Sequence, residues 1–358
     1  MRTVHVDAQS GSYDVLVGRG LLGSVGDIAR KTAGGTRAFI VSNVNVSPLY
    51  GKEITASLEA AGYKVASKIV GSGESIKNMF ELGALLESLA EAELTREDVV
   101  IALGGGVVGD LAGFAASIYM RGCNFIQVPT SLLAMVDSSV GGKTAVDLAH
   151  GKNLAGTFFQ PKAVIADVSC LETISPDLFS DSCGEVIKYG VMCDTELFEE
   201  LEREPLARDS FDPDRIERIV ARCISIKRDV VDADEREANL RQTLNLGHTI
   251  GHAVEASSGY TLGHGSCVAA GMCMIARACA AQGVCNPEAV GRIERVCLAH
   301  GLPIGADESP RHLFHQALSD KKRHGDTINV VLIRDIGDIF IQRTPLDDFK
   351  RLVELGCA

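Results

Sequence analysis

The sequence has no excess of positive charge, no long apolar run and no closely paired cysteines, and each absence removes a class of function. Its 35 Lys and Arg face 47 Asp and Glu, giving a formal net charge of −12. That balance argues against nonspecific binding to nucleic acid or to an anionic membrane. No run of about 18 apolar residues occurs, so a membrane-spanning helix is not expected. The N-terminus lacks a basic region followed by an apolar core and a cleavage site, so an unexported, cytoplasmic protein is expected. The eleven cysteines are odd in number and include no Cys-x-x-Cys, which speaks against a disulfide framework or a zinc knuckle. Cys267, Cys273, Cys279 and Cys285 recur every six residues. On a helix that spacing turns the side chains to different faces, and they read as small buried residues. There is no internal repeat or low-complexity linker.

What is present points to two domains, because 358 residues exceed the size at which a single core stops growing. The pattern changes near residue 173. Before it, short β-rich runs at 3–6, 13–17, 38–41, 64–70, 99–103, 125–128 and 163–167 alternate with amphipathic stretches, the signature of a largely parallel, Rossmann-like α/β sheet covered on both faces. After it, periodic segments at 213–233, 267–282 and 287–300 predict a mainly helical domain, with a hairpin over 327–342 around Asp335 and Gly337. The expected division is therefore 1–173 and 174–358.

Three motifs carry chemistry. A buried strand over 99–103 leads into Gly104-Gly105-Gly106-Val107-Val108-Gly109-Asp110 and then a helix over 111–118, a Gly-rich turn whose backbone N–H groups and helix N-terminus suit a pyrophosphate. No Asp or Glu occurs between Asp110 and Asp137, so the acidic ribose reader of the usual dinucleotide fingerprint is missing, and a merely tight turn is the alternative. Gly142-Lys143-Thr144 lacks the Gly of a Walker motif, since that position holds Asp137, which excludes a P-loop. Lysines in the polar stretch 129–143 and in Gly151-Lys152-Asn153 are candidates for phosphate contact. Finally, Leu244-Asn245-Leu246-Gly247-His248-Thr249-Ile250-Gly251-His252 puts two imidazoles four apart in an apolar helical pattern, with His264-Gly265 following. A third donor from elsewhere would complete a catalytic divalent-metal site, and packed core histidines are the alternative.

Together with Asn43-Val44-Asn45, Tyr119-Met120-Arg121-Gly122, Gly184-Glu185-Val186-Ile187-Lys188 and Asp320-Lys321-Lys322, these motifs resemble the 3-dehydroquinate synthase family, within the sugar phosphate cyclases and iron-type polyol dehydrogenases. The resemblance implies an N-terminal NAD-binding α/β domain, a helical metal-binding domain and an active site in the cleft between them. It implies Glu185, His248 and His264 as ligands of zinc or cobalt, with His252 beside the metal as a phosphate contact and proton-transfer group rather than a ligand. Lys152, Asn153, Lys188, Arg241 and Lys321 are implied as phosphate or carboxylate contacts. Lys143, Lys227 and Asn245 would hold the ring and carboxylate, and Asp137 would position the reacting hydroxyl. For NAD the resemblance points to Asn43, Asn45, Glu74, Lys77, Gly105, Gly106, Val107, Asp110, Thr130, Ser131 and Thr173, with Asp137, Lys143 and Lys152 nearby. Arg121 resembles an arginine reaching into a neighbouring subunit, which implies a homodimer.

The implied reaction converts 3-deoxy-D-arabino-heptulosonate 7-phosphate to 3-dehydroquinate and phosphate, in the shikimate route to aromatic amino acids. It proceeds by transient NAD-dependent oxidation, β-elimination of phosphate, re-reduction, ring opening and aldol closure. Asn43, where the family more often has Asp, departs from the pattern, as do Ser266 and Cys267. Alternatives are another sugar phosphate cyclase, a polyol dehydrogenase, or a silent regulator that binds NAD and metal.

Overall fold

The computed structural model describes residues 1–318 and 323–358. In chain order the elements are β1 (Arg2–Ala8), β2 (Gly11–Gly18), α1 (Val25–Thr32), β3 (Arg37–Asn43), α2 (Lys52–Ala60), β4 (Lys64–Val70), α3 (Met79–Glu91), β5 (Val99–Gly104), α4 (Gly106–Ile118), β6 (Asn124–Pro129), β7 (Lys143–Leu148), β8 (Gly151–Phe158) and β9 (Ala163–Asp167). They continue as α5 (Pro176–Cys193), α6 (Thr195–Arg203), α7 (Pro213–Ala233), α8 (His248–Ser257), α9 (His264–Ala281), α10 (Pro287–Ala299), α11 (Pro310–Ala317), β10 (Arg323–His324), β11 (Thr327–Asp335), β12 (Asp338–Pro345) and α12 (Leu346–Cys357). The chain divides into two compact units, Met1–Thr173 with Asp212–Arg236, and Ile174–Phe211 with Glu237–Ala358. The segment carrying α7, placed by the sequence in the second half, packs with the first unit. Its amphipathic pattern announces a helix but not the surface that covers its apolar face.

The first unit is built on a seven-stranded sheet in the order β1-β2-β9-β6-β5-β3-β4. β1 and β2 are antiparallel and the other pairings are parallel. β5 is buried along its whole length, which is why it reads as an uninterrupted apolar run. The order reverses at β3, whose neighbours are β4 on one side and β5 on the other. The crevice beyond the carboxyl ends of strands at such a reversal is where open α/β sheets bind ligands. The helix after β5 starts at Gly106, so Val107 and Asp110 lie in its first turns rather than in a loop. β7 and β8 form a separate antiparallel pair across a stretch that the sequence presents as polar loop.

The second unit is mainly helical, and β11 and β12 form the expected hairpin. Ser175 caps α5 by accepting from the Leu178 N–H, with Pro176 in the first turn, a favoured start signal. The pattern over 244–252 is not one helix. A 3₁₀ turn, Leu240–Asn245, ends before Gly247, whose φ of 78° is left-handed, and α8 starts at His248. A Cβ on Gly247 would also stand 2.5 Å from the Val268 carbonyl oxygen, so the position needs glycine twice over. α5 and α9 approach as closely: a Cβ on Gly184 would lie 2.6 Å from the Gly265 carbonyl carbon and nearer still to its oxygen. These bare contacts set Glu185 on α5 and His264 on α9 side by side. Among the described residues no helix is long and apolar enough to cross a membrane.

Candidate active site

In the second unit three ligand-type side chains converge. Glu185 is fully buried and His248 nearly so. The Glu185 Oε1 lies 3.5 Å from His248 Nε2 and 3.6 Å from His264 Nε2, and one donor atom from each residue falls within 4.8 Å of the others. Two donors on a tetrahedral zinc, with bonds of about 2.0–2.1 Å, stand about 3.3 Å apart, so the observed spacing fits a metal with little movement. The Glu185 Oε2 forms an ion pair with the Lys188 ammonium one turn along α5. His252 belongs to the same cluster, its ring 5.3 Å from that of His248 and 5.9 Å from that of His264. Burial alone disfavours the His264 imidazolium, yet Glu185 and Glu255 overcome it and push the group up from 6.5 to about 10. A pocket that holds a proton so firmly is one that attracts a cation. Arg241 and Lys188 are buried as well, and Asn245 donates to the Glu237 Oε1 at 2.5 Å. Glu237 is held at a left-handed φ of 61°.

In the first unit the expected nucleotide residues gather at the strand ends around the sheet reversal. Asn43 closes β3, and its Oδ1 accepts from the backbone N–H groups of Asn45 and Val46, so its amide holds the turn. Gly105 is the N-cap of α4, and Thr130 donates its N–H to the Gly104 carbonyl at 3.0 Å. A Cβ on Gly105 would be 3.4 Å from Ser131 Oγ, which brings the two loops together. Beside them the Lys77 ammonium lies 2.6 Å from Glu74, 3.3 Å from Asp110 and 3.9 Å from Asp147, and Lys152 lies 3.5 Å from Glu74. Burial opposes the Lys77 charge, but the three carboxylates overcome it and hold its pKa above the usual value. Burial pushes Asp110 up to about 6 against the pull of Lys77.

Asp147 was missed by the sequence reasoning. Its signal lay in the alternating pattern 143–148, which places it on the same strand as Lys143. Its Oδ1 accepts from the Asn153 N–H at 2.8 Å and so helps hold Asn153 at a left-handed φ of 55°. In the turn after β6, Asp137 meets α7, whose Lys227 ammonium donates to both its carbonyl and its carboxylate, at 2.6 and 2.8 Å.

Lys143 is exposed at the start of β7. Thr173 ends the 3₁₀ turn after β9 and shares a 2.6 Å hydrogen bond with the Tyr50 hydroxyl. Arg121, with a left-handed φ of 64°, lines a cavity of about 380 Å³ with Arg96, Phe159 and Gln160. That cavity is separate from the Lys77 cluster in its lining. Lys321 lies outside the described residues.

Residues 67–181 match the family model for the 3-dehydroquinate synthase N-terminal domain, and residues 182–323 match that for the C-terminal domain. The chain is 40% identical to the 3-dehydroquinate synthase of Clostridium acetobutylicum over 345 residues, covering 96% of both chains. It is 43% identical to that of Rhizobium meliloti over 349 residues, 95% of this chain and 92% of the relative. The chain belongs to the 3-dehydroquinate synthase family. Among solved structures, the family fold recurs in 2-epi-5-epi-valiolone synthase from Streptomyces hygroscopicus, a structure with NAD+ and Zn2+ bound. That match has a TM-score of 0.88 at 25% identity, covering 99% of this chain and 98% of the other. A 2-deoxy-scyllo-inosose synthase superposes with a TM-score of 0.89 at 24% identity, covering 99% of each chain, and shares the fold.

Proposed function

We propose that this chain converts 3-deoxy-D-arabino-heptulosonate 7-phosphate to 3-dehydroquinate and phosphate. It is a phosphorus–oxygen lyase that uses NAD and a divalent metal. The observation that carries the reading is the convergence of Glu185, His248 and His264 in a chain matched along nearly its whole length by 3-dehydroquinate synthases. One carboxylate and two imidazoles leave a coordination position open, which suits binding of a substrate hydroxyl. When bound, zinc or cobalt supplies Lewis acidity and NAD a reversible hydride acceptor.

The chain's own residues do the rest. Lys227, fixed by two hydrogen bonds to Asp137, presents a rigid ammonium for the ring and carboxylate together with Lys143 and Asn245. Asp137 orients the reacting hydroxyl. Lys152, Asn153, Lys188, Arg241 and Lys321 take the phosphate and carboxylate, giving a chain of net charge −12 a local cationic site for an anionic substrate. His252, one helical turn from His248, moves the proton at the phosphate end. Asn43, Asn45, Glu74, Lys77, Gly105, Gly106, Val107, Asp110, Thr130, Ser131 and Thr173 hold NAD at the sheet reversal, within an N-terminal nucleotide domain, and the metal ligands belong to a C-terminal domain. We further propose a cytoplasmic homodimer in which Arg121 serves the neighbouring subunit.

The test is incubation of purified, metal-loaded protein with the heptulosonate phosphate and catalytic NAD, following phosphate release and dehydroquinate formation. Turnover of sedoheptulose 7-phosphate in its place would assign the chain to another cyclase.

A further inference from the structure

We propose that Glu255 is a positioning residue for the metal, holding His264 in the tautomer and orientation that aim its Nε2 at the cation. The inference rests on reading Glu185, His248 and His264 as the metal site.

The observation is that both imidazoles are held in the same way. His248 turns Nε2 to Glu185 Oε1, at 3.5 Å, and its Nδ1 to the Leu246 carbonyl oxygen, at 3.1 Å. His264 turns Nε2 to the same Glu185 oxygen, at 3.6 Å, and its Nδ1 to Glu255 Oε2, at 3.4 Å. An acceptor facing Nδ1 keeps the proton on that nitrogen and leaves Nε2 with its lone pair toward the metal. A backbone carbonyl does this for His248 without any side chain, whereas His264 relies on a carboxylate two turns after His248 on α8.

Glu255 is 5% exposed, and a buried carboxylate is retained only where it is paired. A carboxylate oxygen of Glu255 also lies within 4.8 Å of a ring nitrogen of His252, so its charge faces the metal ligand and the neighbouring imidazole together. The backbone of the His264 turn is fixed independently by Asp181, which accepts from the Ser266 N–H at 2.8 Å. Asp181 therefore places the helix start, and Glu255 sets the ring.

The experiment titrates metal-stripped protein with Zn2+ against a chromophoric chelator, for the wild type, Glu255→Gln, Glu255→Ala and His264→Ala. Removal of an outer partner of a ligating histidine typically weakens metal affinity about 10–100-fold. That loss is expected for Glu255→Ala. Glu255→Gln keeps the shape and an acceptor but not the charge, and about a tenfold loss is expected. Co2+ loaded into Glu255→Gln should show shifted ligand-field bands, a signature that a purely structural role would not move. Zinc affinity within about threefold of wild type in folded Glu255→Gln, with unshifted cobalt bands, overturns the proposal. If Glu255→Ala does not fold, Glu255→Gln decides. His264→Ala separates the two levels: wild-type affinity there removes the metal site itself and this inference with it. Lost affinity in His264→Ala beside intact affinity in the Glu255 variants removes the inference alone.

Discussion

Gly184→Ala tests whether the metal site depends on bare backbone contact between α5 and α9. The added methyl would stand 2.6 Å from the Gly265 carbonyl carbon and 2.9 Å from its Cα. Carbon atoms in ordinary contact are about 3.5–4.0 Å apart, so the helices must separate by about 1 Å. Neither partner atom is on a side chain that can rotate away. The strain falls between neighbours of Glu185 and His264, whose donors are 3.6 Å apart. Carried along that line, the shift takes the pair to about 4.6 Å, beyond the roughly 4.2 Å that two bonds of about 2.1 Å span end to end. Overpacking of this kind costs about 1–3 kcal/mol of stability, a few degrees of melting temperature for a chain of this size. The larger effect is on the metal, with zinc affinity expected to fall by about 100-fold or more, since a ligand of the triad is lost. Chelator-competition titration and thermal melting with and without Zn2+ read both quantities. Wild-type zinc affinity in a folded Gly184→Ala protein would refute the argument.

Three further outcomes are expected. His248→Ala should abolish metal-dependent turnover, and full activity in a variant shown by elemental analysis to lack the ion would contradict the site. Lys152→Ala should chiefly raise KM for the phosphorylated substrate, and an unchanged KM would remove its anion-binding role. The His264 imidazole, raised from 6.5 to about 10 in the folded chain, contributes stability that is fully present below about pH 6.5 and is lost as pH rises through about 10. Melting of the metal-stripped protein across pH 6–10 should therefore show a declining transition, and the decline should vanish in His264→Ala.

Much of this was legible in the residues because period and punctuation survive in sequence. The apolar run at 99–103 specified β5, and the glycines after it announced the next helix but not its start, which lies at Gly106 rather than at 111; the β11–β12 hairpin followed from two alternating runs around a turn. The 244–252 stretch was harder. Its apolar spacing suits a helix throughout, and only the crowding of Gly247 against Val268, a contact distant in sequence, moves the start to His248. The β7–β8 hairpin escaped for a similar reason: β8 has a thinly buried face, so its alternation is weak and its lysine and asparagine read as loop. Partnership was least legible. Asp147 beside Lys77, Asp137 beside Lys227 and Glu255 beside His264 each join residues whose pairing no local pattern encodes, although the i+7 spacing of His248 and Glu255 was visible in hindsight.

The route of the chain has a consequence for how it can be divided. Because Asp212–Arg236 returns to the first unit after Ile174–Phe211 has entered the second, the nucleotide-type unit is discontinuous. A fragment ending at residue 173 would leave β1 and β2 without the α7 surface that packs on them. During synthesis that unit cannot be completed until the ribosome has passed Arg236, by which time α5 and α6 have already emerged. Dissection at the boundary suggested by the sequence should give an aggregation-prone fragment, whereas appending 212–236 through a short linker should restore a cooperative fold.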